Sequence, residues 1–127
     1  MLGTTLRITC AVAALSLVVA APALAGGNSV RRAGSCSGHG GWDLRVSREN
    51  AKTISVRFDI EQVHPGDSWQ LFLSDDGMGI FAGTRIADPD GELRAIKLTS
   101  NRSGADQIKG SGVNVTAGGS CIGAVKF

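Results

Sequence analysis

The side chains able to do chemistry in this chain are few and scattered. His39 and His64 are its only histidines. A nucleophilic hydrolase needs a serine or cysteine backed by a positioned base, and neither histidine lies in a catalytic motif. Gly34-Ser35-Cys36-Ser37-Gly38 sets nucleophile-type side chains between glycines. That pattern has mechanical meaning only on a sharp strand-to-helix turn, and no helical period follows it here. Two histidines 25 positions apart also fall short of a structural zinc site, which takes four ligands. The expectation is no catalytic residue, no metal site and no cofactor, with both histidines in exposed loops.

The acidic residues give a second set. Asp88, Asp90 and Glu92 alternate around Gly91 and offer oxygen ligands of the kind calcium takes, but the calcium-loop spacing with a distant bidentate glutamate is absent. Asp88-Pro89-Asp90-Gly91 has ordinary turn composition, so a turn is expected. Asp67, Asp75 and Asp76 would join a cation site only if their loops converged. A small hydrolase would need Asp43, Asp59 or Glu61 to meet in a cleft, whereas alternation with inward apolar residues puts Asp43 and Asp59 on solvated strand faces.

The elements that must position these residues follow from the punctuation of the chain. Residues 1–25 have the three-part order of a secretory signal: a short start ending at Arg7, an apolar run from Ile8 to Ala21 and a small-residue site at Ala23-Leu24-Ala25. The apolar run is about 14 residues, short of the roughly 20 that span a bilayer as a helix. A secreted, extracellular product starting near Gly26 is expected, with no stable membrane anchor after cleavage. Cys10 leaves with the signal.

Arg7 is the only charge in that segment, so the remainder has a net charge of +1. Its charges alternate, as in Arg57-Phe58-Asp59-Ile60-Glu61, rather than gathering into the one-signed face of a nucleic-acid binder. No nucleic-acid partner is expected. Cys36 and Cys121 are the two cysteines left, and in an oxidising compartment they permit one intramolecular bridge. Such a bridge closes most of the chain into a loop, for which the chain-entropy model gives about 4–5 kcal/mol.

After a Gly-rich segment at 26–41, one domain at 42–127 shows short alternating apolar segments separated by Gly, Asp, Asn and Pro. Trp42, Leu44 and Val46 form the first; Ile54, Val56, Phe58 and Ile60 the second; Trp69, Leu71 and Leu73 the third. A fourth runs over 79–87. The fifth, 92–99, has an ambiguous face in which Leu93 and Ala95 compete with Ile96 and Leu98, predicting a bulge or burial on both sides. The sixth covers 106–115, and the seventh 120–127, with Cys121, Gly123, Val125 and Phe127 on one face. Seven strands without a crossover helix predict an all-β antiparallel β-sandwich, immunoglobulin-like or fibronectin-III-like, with one terminal-to-terminal disulfide. The third-strand Trp69 matches the buried tryptophan of immunoglobulin domains, whereas the bridge differs from their inter-sheet disulfide.

Cys36-Ser37-Gly38, Trp42, Trp69-x-Leu71-x-Leu73, the stretch from Asn101 to Ile108 and the late Cys121 together resemble a group of small secreted actinobacterial proteins of unassigned function. The resemblance covers most of 26–127. It implies a secreted, disulfide-tied β-domain and carries no catalytic or binding residues.

With Trp69, Leu71 and Leu73 inward, the alternation turns Phe72 outward, and Phe81 on the next strand is expected to join it in an apolar interaction patch. The functional expectation is a secreted non-enzymatic β-sandwich, an extracellular binding or interaction module for a protein, glycan or small molecule. An alternative is an enzyme inhibitor using the 88–92 or 101–106 loop. A small-ligand carrier is another, although the chain lacks the two short-range disulfides of the actinobacterial chromophore-carrying sandwiches. A small hydrolase ranks below these.

Overall fold

The computed structural model describes Gly3 and residues 28–127. Apart from Gly3, the signal segment 1–25, with Cys10, lies outside the described residues. The rest forms eight strands: β1 (Ser29–Ser35), β2 (Gly41–Arg48), β3 (Thr53–Glu61), β4 (Ser68–Asp75), β5 (Met78–Ile86), β6 (Leu93–Ser100), β7 (Gln107–Asn114) and β8 (Ser120–Lys126). They make two four-stranded antiparallel sheets, ordered β1-β2-β3-β6 and β5-β4-β7-β8. No helix occurs among the described residues.

The seven alternating segments become β2 to β8, and the eighth strand, β1, lies inside the segment read as Gly-rich. Its sequence Ser-Val-Arg-Arg-Ala-Gly-Ser has one large apolar residue, Val30, so no period-two pattern marks it. It is held by its ladder to β2, in register from Ser29 opposite Ser47 to Ser35 opposite Gly41. Arg31 and Arg32 lie on this edge strand, where charge discourages pairing with another chain. Gly34 sits across from Trp42 and leaves room for the indole, since a Cβ there would stand 2.7 Å from Cζ2.

The core lies between the sheets. Leu44, Val46, Ile54, Val56, Phe58 and Ile60 of β2 and β3 face Trp69, Leu71, Leu73, Ile108 and Val125 of the other sheet. Each of the larger aliphatic and aromatic side chains contributes about 1.5–3 kcal/mol on burial. The two faces approach closely because β7 and β8 present glycines inward: Gly110 lies under Phe58, Gly112 under Ile60 and Leu71, and Gly123 under Trp42.

The ambiguity in β6 resolves one way. Leu93 and Ala95 are buried while Ile96 and Leu98 are exposed. The β3–β6 register runs unbroken from Thr53 opposite Ser100 to Ile60 opposite Leu93, so neither the bulge nor the two-sided burial expected there occurs. The irregularity falls instead between β4 and β5, where the register slips after Leu73 and leaves Ile80 as the extra residue of β5.

Cys36 and Cys121 are bonded. Cys36 follows β1 directly and Cys121 is the second residue of β8, and β1 and β8 are edge strands of different sheets. The bridge therefore fastens the sheets to one another along one edge. Such a bond is consistent with an oxidising, extracellular location.

Candidate ligand-binding cleft

Three connections meet at one end of the sandwich: β1–β2, β3–β4 and β7–β8. Between them opens a cleft of about 630 Å³, lined among others by Ser37, His39, His64, Asp67, Trp69 and Asn114. That volume lies within the range of small-molecule sites. The fold brings both histidines, distant in sequence, to this one mouth, where both are exposed.

Trp69 occupies the second position of β4, on its inward phase with Leu71 and Leu73, and is 2 % exposed. Its indole Nε1 is buried and has no hydrogen-bond partner among the described residues. A buried indole N–H normally finds an acceptor, and this one belongs to a side chain lining the cleft.

The rim is fixed by hydrogen bonds. Asn114 donates from Nδ2 to Asp67 Oδ2 at 2.8 Å and accepts at Oδ1 from the backbone N–H groups of Thr116 (3.0 Å) and Ala117 (2.9 Å). One amide thus shapes the β7–β8 turn and ties it to β3–β4. Thr116 Oγ1 accepts from the Ser68 N–H at 2.9 Å. On the other side Ser37 donates its backbone N–H to the Ser120 carbonyl (2.8 Å), and Ser37 Oγ accepts from the Ser120 N–H (2.9 Å), next to the disulfide. A rim ordered before binding lowers the entropy cost of holding a ligand.

Other candidate residues fall elsewhere. Asp88 Oδ1 accepts the backbone N–H groups of Asp90 and Glu92, each at 2.9 Å, an Asx-type turn in the β5–β6 connection. Asp43 and Asp59 lie on the outer face of the first sheet, but Asp59 is not solvated there as expected: the arginines beside it cover it, and it is 6 % exposed. Asp43 pairs with Arg31, and Asp59 accepts from Arg57 at 2.7 Å and Arg94 at 2.5 Å. Asp59 and Glu61 do share a smaller hollow with Asp88 and Glu92, but both Asp59 oxygens are occupied by arginines, which removes it as a free acid or base. Asp67 belongs to the cleft, whereas Asp75 and Asp76 lie at the far end of β4, about 25 Å away at the usual strand rise.

The patch expected from Phe72 and Phe81 does not form. Phe72 is 46 % exposed on the outer face, but Phe81 stands opposite Leu73 and packs half-buried against the core with Ile80. The slipped register supplies the reason, because it carries Phe81 onto the inner face.

Two features have no sign in the sequence. Alternation places Trp69 in the core, but nothing along the chain signals that its N–H lacks an acceptor, because that depends on loops from three separate connections. The approach of Asp106 to Asp75 comes only from the β4–β7 register, in which Asp75 faces Ile108. No protein-family model matches this chain, and neither does any curated protein or solved structure.

Proposed function

We propose that the chain is a secreted, non-enzymatic, immunoglobulin-like sandwich that holds a small molecule in the cleft between the three end connections. The observation that carries this reading is a preformed cleft lined by Trp69, a side chain whose indole Nε1 is buried and unpartnered among the described residues. The ligand it calls for has an apolar body and a hydrogen-bond acceptor, such as a carbonyl, that reaches this N–H. Asp67, Ser37 and the two histidines provide polar contacts nearer the mouth.

Strand order supports the immunoglobulin-like assignment. With β1 set aside as an added edge strand, β2, β3 and β6 take the places of A, B and E, while β4, β7 and β8 take those of C, F and G. β5 sits beside β4 where variable-type domains add C′, and Trp69 is then the buried tryptophan of strand C. The resemblance to secreted actinobacterial β-domain proteins belongs to the same reading, as does the disulfide.

The test is to recover the protein from its producer's culture medium, examine it by native mass spectrometry, and follow the indole ¹⁵N–H resonances. Trp42 and Trp69 are its only tryptophans, so Trp42 serves as an internal control. A retained small molecule that shifts the Trp69 indole signal and leaves that of Trp42 in place is the expected result. A retained molecule that leaves Trp69 unmoved sinks the cleft assignment. Co-purification with a protein or glycan alone moves the function to recognition of macromolecules.

A further inference from the structure

We propose that Asp75, Asp76 and Asp106 bind a calcium ion at the end of the sandwich opposite the cleft. One carboxylate oxygen from each residue lies within 4.8 Å of the others. Three oxygens no more than 4.8 Å apart have a common centre at most about 2.8 Å from each, which a few tenths of an ångström of side-chain movement brings to a calcium–oxygen bond of roughly 2.4 Å.

A second observation points to a ligand independently of this clustering. Asp75 and Asp106 are each 1 % exposed, and none of their four carboxylate oxygens accepts from an N–H or hydroxyl donor among the described residues; the only groups close enough to share a proton with them are the other carboxyls of the cluster. Buried charges are ordinarily paired or bound to metal. Burial, reinforced by neighbouring carboxylates, pushes both carboxyls above their ordinary range, and the nearby Arg102 offsets this only in part.

The fold fixes the three groups. Asp75 ends β4 on the inward phase after Leu71 and Leu73. Asp106 is held by a reciprocal backbone pair with Phe127, each N–H donating to the other's carbonyl at 2.9 Å. Asp76 and Gly77 both have positive φ, 49° and 81°, the type I′ hairpin turn that Asp-Gly favours. Asp76 is further set by accepting the Gln107 N–H on Oδ1 at 2.7 Å, which leaves its other oxygen. Asp76 is exposed beside the buried pair and gives an ion its route in.

All-carboxylate oxygen coordination selects a hard cation. Three direct carboxylate ligands suit calcium, which takes several protein oxygens in varied geometry, better than magnesium, which keeps several of its waters. The competing source of positive charge is Arg102 in the β6–β7 connection. It lies close enough to favour the ionised form of both buried acids, yet its guanidinium donates to Met78 Sδ at 3.2 Å.

The test strips the protein with chelator and titrates it with calcium chloride by calorimetry, with magnesium chloride in parallel and thermal melts at each end point. The expected result is one calcium per chain, a melting temperature raised by calcium, and weaker binding of magnesium. Asp75→Asn and Asp76→Asn should each weaken calcium binding by roughly tenfold or more, because affinity follows ligand charge. Asn keeps the left-handed turn at position 76, so loss of binding there is not loss of fold. Arg102→Gln should bind calcium at least as tightly as the parent. The proposal is overturned by absence of calcium heat, by calcium binding that Asp76→Asn leaves unchanged, or by an Arg102→Gln variant that is destabilised and still takes no calcium.

Discussion

Phe58, at the centre of β3, is seated on the backbone of Gly110 in β7 of the opposite sheet. A Cβ at position 110 would stand 2.7 Å from Cδ2 and 2.9 Å from Cγ of the ring. Phe58 is fully buried, so the ring cannot turn away into solvent. Gly110→Ala is expected to cost about 1–3 kcal/mol by overpacking. In a double-mutant cycle with Phe58→Leu the two changes should prove non-additive, the smaller side chain relieving part of the clash. Denaturant unfolding of the four proteins measures the coupling, and simple additivity would show that Gly110 matters for some other reason.

The Cys36–Cys121 bridge joins the β1–β2 connection to β8 across a sequence separation of 85. Replacing both cysteines by serine should lower stability by about 2–5 kcal/mol. The loss should appear as a lower denaturant midpoint with retained far-ultraviolet β signal, since the backbone ladders of both sheets do not run through the bridge. Thiol titration of the unreduced parent should find no free thiol at either position.

Asp59 takes charge-assisted hydrogen bonds from Arg57 and Arg94 on the outer face of the first sheet. Both arginines are partly exposed, so the network is screened by water and salt. Asp59→Asn should cost about 1 kcal/mol at low salt. The difference from the parent should shrink in 1 M sodium chloride, approximately the condition at which screening acts over a few ångströms. A deficit independent of salt would assign the effect to packing.

Burial and neighbouring carboxylates raise the Asp75 and Asp106 carboxyls in the folded chain. Because the folded state then holds protons more tightly than the unfolded one, this pair contributes stability that is complete below about pH 4, the unfolded carboxyl value, and is lost as pH rises through the folded values. In chelator, the melting temperature of the parent relative to Asp75→Asn should therefore fall as pH rises from about 4 towards neutrality. Calcium should remove that fall. A parent and variant that track each other across this range would show that the two acids do not repel.

Replacing Trp69 by Phe keeps an aromatic body in the core and removes the N–H. The fold should tolerate the change, because the N–H has no partner to lose. Affinity for a cleft ligand that accepts from Nε1 should drop by about tenfold, the scale of one hydrogen bond. Equal affinity would mean that the ligand meets the cleft elsewhere.

The amino-acid sequence by itself determined seven strands and the bridge. Strict alternation in Ile54 to Ile60 and in Trp69 to Leu73 buries one face of a strand and no other arrangement, and turn residues such as Asp75-Asp76-Gly77 and Asp88-Pro89-Asp90-Gly91 end the segments. Cys36 and Cys121, the two cysteines beyond residue 25, have only each other to pair with there. What tertiary structure decided was whatever depends on register and on convergence of distant loops. β1 carries no apolar period because backbone ladder bonds hold it at an edge. Phe81 turns inward because a one-residue slip after Leu73 reverses its face, an effect with no local sign. The meeting of His39, His64 and Trp69 at one cleft, and of Asp75 with Asp106 at the other end, follows from strands pairing across long sequence separations. Such contacts are set by the packing of the two sheets as wholes, and a pattern of period two cannot encode them.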